Sequence, residues 1–367
     1  MPTSATVAEA VDVNSVTGTS GNVERVLDIA VVIVTYKSAR FAIANLRSLL
    51  AEGSDPTLRI RAIVVDNASE DLPEISRTAT DEGWLPWVTL VAAPLNGGFA
   101  YGCNIGIEAA CSTVAPSYIC LLNPDAQVRP GAIKALAQFL ETNMEAGIAG
   151  PSFETDEGGD WKTAFRFPTL LGELEHGLQL SLASQLLQRW RVARQMGAHH
   201  ETVDWISGAA MMIRPQVFAA IGGFDENYFL FYEETDLCRR ARQSGFTTWY
   251  VPESRVMHIG GVSTLLGRGS RTRMPAYWFE SRRRYFSVTY GIGRAMMIDV
   301  VTATAHLLGA LKRAIQGRRH NAIPCFVRDL LHHSVLWPRN RNIPPLRSRI
   351  LSSAHAAKMS SNGPSGR

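Results

Sequence analysis

Four apolar runs alternate with helix-length segments between residues 27 and 140. The first, "LDIAVVIVTY" (27–36), is rich in β-branched residues, is too short for a membrane span and is typical of a strand buried on both faces. The same pattern recurs at 59–69, 88–96 and 117–126, with helical segments such as 41–50 and 131–140 around these runs. This alternation predicts an α/β fold with a mostly parallel, twisted, doubly wound sheet.

Polar side chains follow each predicted strand. They are Thr35 and Tyr36 after the first, Asp66 and Asn67 after the second, Asn96 after the third, and Asn123 and Asp125 after the fourth. Ligands of open α/β sheets bind beyond the carboxyl ends of the strands. The sequence therefore predicts a binding site at this edge of the sheet.

Composition and charge narrow the class of protein. Of 367 residues, 46% are apolar and 19% charged, which is ordinary for a globular protein and excludes general disorder. The net charge is only +4, but cations gather at 282–284, 312–313 and 318–319 and favour an anionic surface. Five scattered cysteines without a CxxC pair indicate neither a zinc site nor a disulfide framework, so we expect a cytoplasmic protein.

Two residues are candidate metal ligands. Asp125 lies in the turn "NPDA" at a strand end, and a hard divalent cation takes one or two carboxylates together with phosphate oxygens and water. His258 precedes two glycines and is a second candidate if the fold brings it near Asp125. The alternatives are a turn or N-cap aspartate and a structural histidine.

Two further features remain open on the residues alone. Asp66 could accept hydrogen bonds from a nucleoside, or it could form a turn with Asn67. The glycine-rich loop "LNGGFAYGCNIGI" (95–107) enters a helix and could approach a phosphate. It has neither the dinucleotide-binding nor the P-loop spacing, so alone it is a weak signal.

The segment "FLFYEETDLCRRAR" (229–242) crowds three carboxylates against an apolar strip. Glu233, Glu234 and Asp236 fall in the predicted first turn of a helix that Gly245 would end, where acids complement the helix dipole. The preceding apolar residues could also raise the pKa of a carboxylate and prepare it as a general base.

Taken in order, six fragments carry a resemblance to a known family. They are "VVIVTYKS", "VVDNAS", "LNGGFAYGCNIGI", "LLNPDA", "ISGAAMMIRPQVFAAIGGFDENYFLFYEETDLCRRARQSGF" and "YVPESRVMHIGG", and they span about residues 28–265. The chain resembles the inverting family 2 glycosyltransferases with a GT-A fold, particularly the bacterial rhamnosyltransferase-like branch. Each fragment is modest, but their ordered combination is specific.

The resemblance implies a role for each candidate residue. Glu234 would be the catalytic base, with Glu233 and Asp236 beside it, although Glu234 stands where aspartate is commoner. Asp125 matches the last acid of the DxD metal motif, whose first acid is replaced here by Asn123, and with His258 it would hold Mg²⁺ or Mn²⁺. The nucleotide-sugar-binding residues would be Thr35, Tyr36, Asp66, Asn67, Asn96, Phe99, Asn104 and Asn123.

The predicted organisation has four parts. They are a flexible lead (1–26), a GT-A domain (27–265), a C-terminal helical extension (266–340) and a disordered tail (341–367). Within the GT-A domain, 27–126 would bind the nucleotide sugar and 127–265 would bind the acceptor and carry catalysis. The apolar helix in the extension is interrupted by Asp299 and His306, so we expect it to lie on a membrane surface rather than to span the membrane.

The implied function is inverting transfer of a sugar to a hydroxyl of a polyprenyl-diphosphate-linked glycan in cell-surface polysaccharide biosynthesis. dTDP-rhamnose is the first expected donor, and no nucleic-acid partner is implied. The extension would place the enzyme peripherally on the inner face of the cell membrane, or it would form a homodimer interface or an accessory helical bundle. A non-catalytic subunit that binds sugar nucleotides or glycans is the alternative, whereas the nucleotide-site residues disfavour a glycoside hydrolase.

Overall fold

A computed structural model describes residues 25–155, 157, 159–178, 181–260, 272–317 and 323–351. The strands in these residues are β1 (Leu27–Thr35), β2 (Leu58–Asp66), β3 (Val88–Ala92), β4 (Tyr118–Leu122), β5 (Ala126–Val128), β6 (Ala146–Glu154), β7 (Asp160–Trp161), β8 (Ala164–Phe165), β9 (Glu201–Val203), β10 (Trp205–Ile206), β11 (Ala210–Ile213) and β12 (Thr247–His258). Nearly all of the predicted lead and much of the predicted tail lie outside the described residues.

The helices alternate with the strands and then continue beyond them. They are α1 (Ala39–Glu52), α2 (Leu72–Asp81), α3 (Phe99–Thr113), α4 (Ala132–Thr142), α5 (Leu170–Leu178), α6 (Ser181–Leu186), α7 (Pro215–Ile221), α8 (Glu233–Gln243), α9 (Ala276–Tyr290), α10 (Ile292–Ile315) and α11 (Phe326–His333). Pro215 opens α7 and Gly222, in the left-handed conformation, ends it, as the sequence predicts.

The main sheet has the strand order β3-β2-β1-β4-β11-β6-β12-β5. β1 is parallel to both β2 and β4, and β2 is parallel to β3, so the first half is a parallel Rossmann-like unit. β11 is antiparallel to β4 and β6, and β5 is antiparallel to β12. The predicted mostly parallel sheet with flanking helices is confirmed.

The core occupies both faces of the sheet. Alternate residues of β1 separate into two buried clusters: Ile29, Val31 and Ile33 pack with α1, α2 and α4, whereas Ala30, Val32 and Val34 pack with α3, α7 and α8. Burial on both faces explains why β1 is a continuous apolar run rather than an alternating one. The edge where β1, β2 and β4 end remains available for polar side chains.

Two strands are shorter than predicted. The run 88–96 ends as a strand at Ala92, because the following residues form the loop that enters α3. The run 117–126 ends as a strand at Leu122, and Asn123–Asp125 form a turn before the separate strand β5.

The C-terminal helices are tied to the sheet domain by buried ion pairs. Arg284 of α9 pairs with Asp225, and both side chains are buried. Arg282, also in α9, is buried and pairs with Glu173 of α5 and Asp299 of α10. Buried pairs of this kind fix geometry more than they add stability, because each charge must first lose its water.

Helix α10 packs closely on α5. A Cβ at Gly177 of α5 would lie 2.6 Å from Ala305, and one at Gly309 would collide with the carbonyl oxygen of Gly177. By length and composition α10 meets the criterion for a membrane-crossing helix, contrary to the sequence-based expectation, although 39% of its most apolar stretch is buried in the protein. No other helix among the described residues meets it.

Candidate active site

A cavity of about 630 Å³ opens at the carboxyl ends of β1, β2 and β4. Nine of the thirteen predicted site residues line it, namely Tyr36, Asn67, Asn96, Phe99, Asn123, Asp125, Glu233, Glu234 and His258. These residues span more than two hundred positions of sequence. The fold therefore gathers the predicted nucleotide-binding, metal-binding and catalytic side chains at one place.

Asp125 and His258 face one another in this cavity. His258 Nε2 lies 3.3 Å from Asp125 Oδ1, and both side chains are buried. The register of β5 and β12 causes this contact, because His258 pairs with Ala126, the residue after Asp125. The backbone N–H of Gly260 donates to Asp125 Oδ2 at 3.1 Å, which orients the carboxylate.

The Asp125 and His258 pair fits a divalent cation in part. A carboxylate oxygen and an imidazole nitrogen point at each other, and both are ligands of Mg²⁺- or Mn²⁺-type ions. In the part of the chain that the structure describes, no group of three or more His, Cys, Asp or Glu side chains could hold a metal. An ion held here would complete its coordination with water and substrate phosphate oxygens.

Asn67 shapes the glycine-rich loop on the nucleotide side. Its Nδ2 donates to Asn96 Oδ1 and to the carbonyl oxygen of Gly98, both at 3.0 Å. Gly98 has φ 88°, and a Cβ there would collide with the carbonyl oxygen of Phe229. The loop can approach the segment before α8 this closely only because position 98 has no side chain.

Glu233 and Glu234 begin α8 immediately after a left-handed turn. Phe231 and Tyr232 each have φ 69°, a conformation that residues other than glycine rarely adopt. Such backbone costs on the order of 1–3 kcal/mol per residue and persists only where the surroundings hold it. Both glutamates line the cavity from the start of α8.

The two glutamates have different electrostatic environments. Burial and the neighbouring carboxylate of Glu234 hold the pKa of Glu233 well above its ordinary value. Burial also raises the pKa of Glu234, but the backbone N–H groups of Glu234, Gly208 and Thr235 stabilise its ionised form. Two close buried carboxylates resist double ionisation, and the N–H groups beside Glu234 favour its ionised form.

Thr35 and Asp66 end their strands beside the cavity but do not line it. The Thr35 hydroxyl donates to Asp71 and shares a hydrogen bond with Ser38 at 2.9 Å. Asp66 accepts the N–H and hydroxyl of Ser69 at 2.9 and 2.6 Å, and the N–H of Asp71 at 3.2 Å. In this structure both residues organise the turn that follows β2.

Asn104 and Asp236 lie away from the cavity lining. Asn104 is fully buried in α3 and donates to Phe224 O at 2.9 Å and Glu226 Oε1 at 3.0 Å. Asp236 accepts from Arg239 at 2.7 Å and Arg240 at 2.6 Å on its own helix. Both side chains are engaged by hydrogen bonds within the protein and neither lines the cavity, so the structure does not put either of them next to a substrate.

Sequence reasoning missed much of the apolar lining. Phe229, Leu230, Phe231, Met274 and Tyr277 all border the cavity, as do Ser207, Gly208 and Ala209. Met274 and Tyr277 lie beyond the predicted domain boundary at 265, at the beginning of the helical extension. The signal for Tyr277 was the aromatic cluster "AYWF" (276–279), which belongs to the extension that the sequence-based interpretation placed on the membrane.

Three comparisons place the chain among known proteins. It is 29% identical over 258 residues to an N-acetylglucosaminyl-diphospho-decaprenol L-rhamnosyltransferase of Mycobacterium tuberculosis, covering 67% of this chain and 80% of that one. It is 26% identical over 239 residues to the dTDP-rhamnosyl transferase RfbF of Shigella flexneri, covering 64% and 70%. A structure of GalNAc-T7 with UDP, GalNAc and Mn²⁺ has a TM-score of 0.53 at 14% identity, covering 88% of this chain and 59% of that one.

The likeness to GalNAc-T7 concerns the fold alone and agrees with a GT-A arrangement of sheet and helices. The family described as "Glycosyltransferase like family 2" matches residues 27–287, which includes the first part of α9 as well as the whole sheet. The predicted family, fold and enzyme class are thus confirmed. The chain belongs to glycosyltransferase family 2 and is a sugar-transferring enzyme.

Proposed function

We propose that the protein transfers a sugar, with inversion at the anomeric carbon, from a nucleoside-diphosphate sugar to a hydroxyl of a polyprenyl-diphosphate-linked glycan. The observation that carries this proposal is the single cavity shared by the Asp125 and His258 pair and by Glu233 and Glu234. Such a transfer requires stabilisation of the negative charge on the departing nucleoside diphosphate and a group that accepts the proton of the attacking hydroxyl. The cavity contains residues suited to each requirement.

Rhamnose is the proposed sugar and dTDP-rhamnose the proposed donor. The relatives from M. tuberculosis and S. flexneri are both rhamnosyltransferases by name, and the second name specifies dTDP. We place the nucleotide along Tyr36, Asn67 and Asn96, at the carboxyl ends of the parallel strands. That is where doubly wound sheets bind their ligands.

The diphosphate is proposed to lie beside Asp125 and His258, which would hold Mg²⁺ or Mn²⁺. When bound, such an ion offsets the negative charge that develops on the departing nucleoside diphosphate. The buried setting of Asp125 strengthens its interaction with any cation, because little water screens the charge. The N–H of Gly260 keeps one carboxylate oxygen oriented while the other faces the imidazole.

Glu234 is the proposed catalytic base. Its carboxylate accepts the proton of the acceptor hydroxyl, and the hydroxyl oxygen attacks the anomeric carbon from the face opposite the diphosphate, which inverts the configuration. Protonated Glu233 leaves the negative charge on Glu234, where it is needed. Because burial raises the pKa of Glu234, transfer should increase with pH as this carboxyl ionises.

The test of this function is product analysis with dTDP-rhamnose, UDP-glucose and GDP-mannose. Each is incubated with Mg²⁺ or Mn²⁺ and a decyl-diphosphate-linked N-acetylglucosamine, and the configuration of the new linkage is read by NMR. We expect transfer from dTDP-rhamnose with inversion. Retention of configuration would contradict the mechanism, and metal-dependent donor binding without turnover on any acceptor would favour the non-catalytic alternative.

We further propose that α10 rests on an anionic membrane surface, which would bring the enzyme to a lipid-linked acceptor. Six of its apolar side chains are exposed, Met297, Val300, Leu307, Leu308, Leu311 and Ile315. An α-helix turns about 100° per residue, so these six side chains fall within one arc of roughly 100° around the helix axis. This arc lies opposite the buried face of α10. Without the buried Arg282 and Arg284, residues 272–317 and 323–351 contain ten Lys and Arg against three Asp and Glu, so this part of the protein complements anionic lipid.

Vesicle sedimentation tests the membrane proposal. Replacing Leu307 and Leu311 by Asp should reduce binding to phosphatidylglycerol vesicles roughly tenfold or more, because two apolar contacts are lost and two like charges added. The matched control replaces the exposed Leu50 and Leu85, outside the extension, by Asp. Unchanged vesicle binding by the α10 variant would contradict the proposal. If vesicle binding is unchanged but the variant no longer dimerises, α10 is a homodimer interface.

A further inference from the structure

The cavity wall beside the two glutamates is apolar and largely aromatic. Its members are Phe229, Leu230, Phe231, Met274 and Tyr277. The ring centroid of Tyr277 lies 5.4 Å from that of Phe229 and 6.2 Å from that of Phe231, with only 18° between the planes of the second pair. We call Phe229, Phe231 and Tyr277 the aromatic wall. Phe229 remains 38% exposed, so the wall leaves apolar surface available to a ligand.

Helix α9 holds the aromatic wall against the catalytic segment. Ser281 donates its hydroxyl to the carbonyl oxygen of Leu230 at 3.0 Å. Tyr232, the second residue of the left-handed turn, packs against Trp278 and Tyr285 with centroid distances of 6.1 and 5.3 Å. These contacts hold Tyr277 in place before any substrate arrives, so little ordering cost remains to be met on binding.

The position of the wall indicates which substrate it meets. The polar lining at Asn67, Asn96 and Asp125 suits a nucleotide and a diphosphate, whereas the wall has no charge and few hydrogen-bonding groups. Phe231 lies three residues before Glu234 in the same strained segment. An acceptor whose hydroxyl reaches Glu234 must therefore lie next to the wall.

We propose that the aromatic wall is the acceptor subsite and that it receives the apolar face of the acceptor pyranose ring. This inference rests on the proposed function and adds the residues that recognise the acceptor. The axial C–H bonds of a pyranose carry a small positive charge, and the face of an aromatic ring is negative, so the two surfaces attract each other. Tyr277 then links acceptor choice to the helical extension.

The phenol of Tyr277 offers a second contact. Burial raises its pKa, so the hydroxyl remains protonated at neutral pH and can donate to a ring or hydroxyl oxygen of the acceptor. The ring and the hydroxyl can be separated by substitution. Tyr277→Phe keeps the aromatic face, Tyr277→Leu keeps apolar volume, and Tyr277→Ala removes both.

The experiment measures kcat and KM for the decyl-diphosphate-linked N-acetylglucosamine at saturating dTDP-rhamnose, together with the Kd of the donor by calorimetry. We expect Tyr277→Ala to raise the acceptor KM roughly tenfold, the effect of about 1.4 kcal/mol of lost contact. Tyr277→Leu should show an intermediate increase and Tyr277→Phe a small one. The donor Kd and the slow hydrolysis of donor by water should remain within twofold of wild type.

Trp337→Ala is the matched control, because Trp337 is an exposed aromatic residue of the same extension that does not line the cavity. Trp337→Ala should leave the acceptor KM and the donor Kd unchanged. An unchanged acceptor KM in Tyr277→Ala, or a weakened donor Kd in its place, would overturn the subsite. Absence of transfer by the wild-type enzyme with any donor would instead remove the proposed function, so the two failures are distinguishable.

Discussion

The two sides of the cavity are built in different ways. On the proposed nucleotide side, Tyr36, Asn67 and Asn123 follow the ends of parallel strands, and Asn67 is held by hydrogen bonds to Asn96 and Gly98. On the proposed acceptor side, Glu233 and Glu234 follow two residues in the left-handed conformation, and an aromatic wall supplied partly by α9 lines the same cavity.

The two sides differ in how their buried carboxylates are satisfied rather than in the backbone alone. Left-handed residues also follow the strand ends, at Lys37, Ala68 and Glu70. There the buried Asp66 accepts hydrogen bonds from the loop after β2, whereas one carboxylate oxygen each of Glu233 and Glu234 is buried without a hydrogen-bond partner. Buried carboxylates without partners reduce stability, and such features persist at sites where chemistry requires them. We therefore expect substitutions of the two glutamates to affect turnover and stability in opposite directions, and substitutions on the proposed nucleotide side to affect donor or metal binding and, through it, turnover.

Glu234→Gln should give the largest effect. Without a proton acceptor, kcat should fall by about 10²–10⁴-fold, the usual contribution of a general base. The donor Kd should stay within twofold, because the amide is nearly isosteric with the carboxylate and the nucleotide side is untouched. Steady-state kinetics and calorimetry measure the two, with the exposed Glu253→Gln as control. Weaker donor binding by Glu234→Gln would contradict the division of the cavity into a donor-binding side and an acceptor side.

Asp125→Asn, on the proposed nucleotide side of the cavity, should reduce activity less than Glu234→Gln. Loss of the carboxylate should weaken Mn²⁺ binding and reduce turnover by roughly 10²-fold, the typical cost of losing one electrostatic contact to developing charge. Acceptor KM should be unchanged. Titration with Mn²⁺ followed by kinetics tests this, and the exposed Asp81→Asn serves as the control. Full activity of Asp125→Asn in the presence of chelator would refute the assignment.

Glu233→Gln should give the smallest effect, a change in stability that depends on pH. The pKa of Glu233 is raised in the folded state, so the native protein loses stability as pH increases from the ordinary glutamate range near 4.5 towards the raised pKa. The uncharged amide removes this loss. The melting temperature of the variant should exceed that of wild type by a few degrees at pH 8, about 2–4 °C per kcal/mol for a domain of this size class.

The difference between Glu233→Gln and wild type should shrink as pH falls towards 4.5 and vanish well below it, where the carboxyl is protonated in both the folded and the unfolded state. Differential scanning calorimetry across this range provides the measurement. Glu74→Gln removes a charge from an exposed position and should show no such trend. A gain that is constant with pH would mean that burial does not perturb Glu233.

Much of the fold could be predicted because β1 and its neighbours are buried on both faces and therefore form unbroken apolar runs. The ends of β3 and β4 were misplaced by a few residues, because Ala93 and Leu95 extend the apolar run beyond β3 and the separate strand β5 begins after a turn of only three residues beyond β4. The antiparallel insertion of β11 between β4 and β6 had no local signal. It depends on how distant strands pair, which the pattern of one strand does not determine.

The site was predictable to the extent that residue type alone fixes chemistry. The contact between His258 and Asp125 follows from the register of β5 and β12, which only the resemblance suggested in advance. Asn104 and Asp236 have suitable side chains, but distant partners such as Phe224 and nearby arginines engage them. Tyr277 was missed because it reaches the cavity only when α9 docks on the segment before α8.

The ties between α9 and the sheet domain have a practical consequence for protein engineering. Arg284 pairs with Asp225, and Ser281 donates to Leu230, so the helix and the turn before α8 form one unit. A truncated enzyme ending near residue 265 would keep the three carboxylates of the cavity but lose Met274 and Tyr277 from its lining. Chimeras meant to exchange acceptor preference between relatives should therefore exchange α9 and the turn before α8 together. Either segment alone would pack against a sequence with which it does not form these contacts.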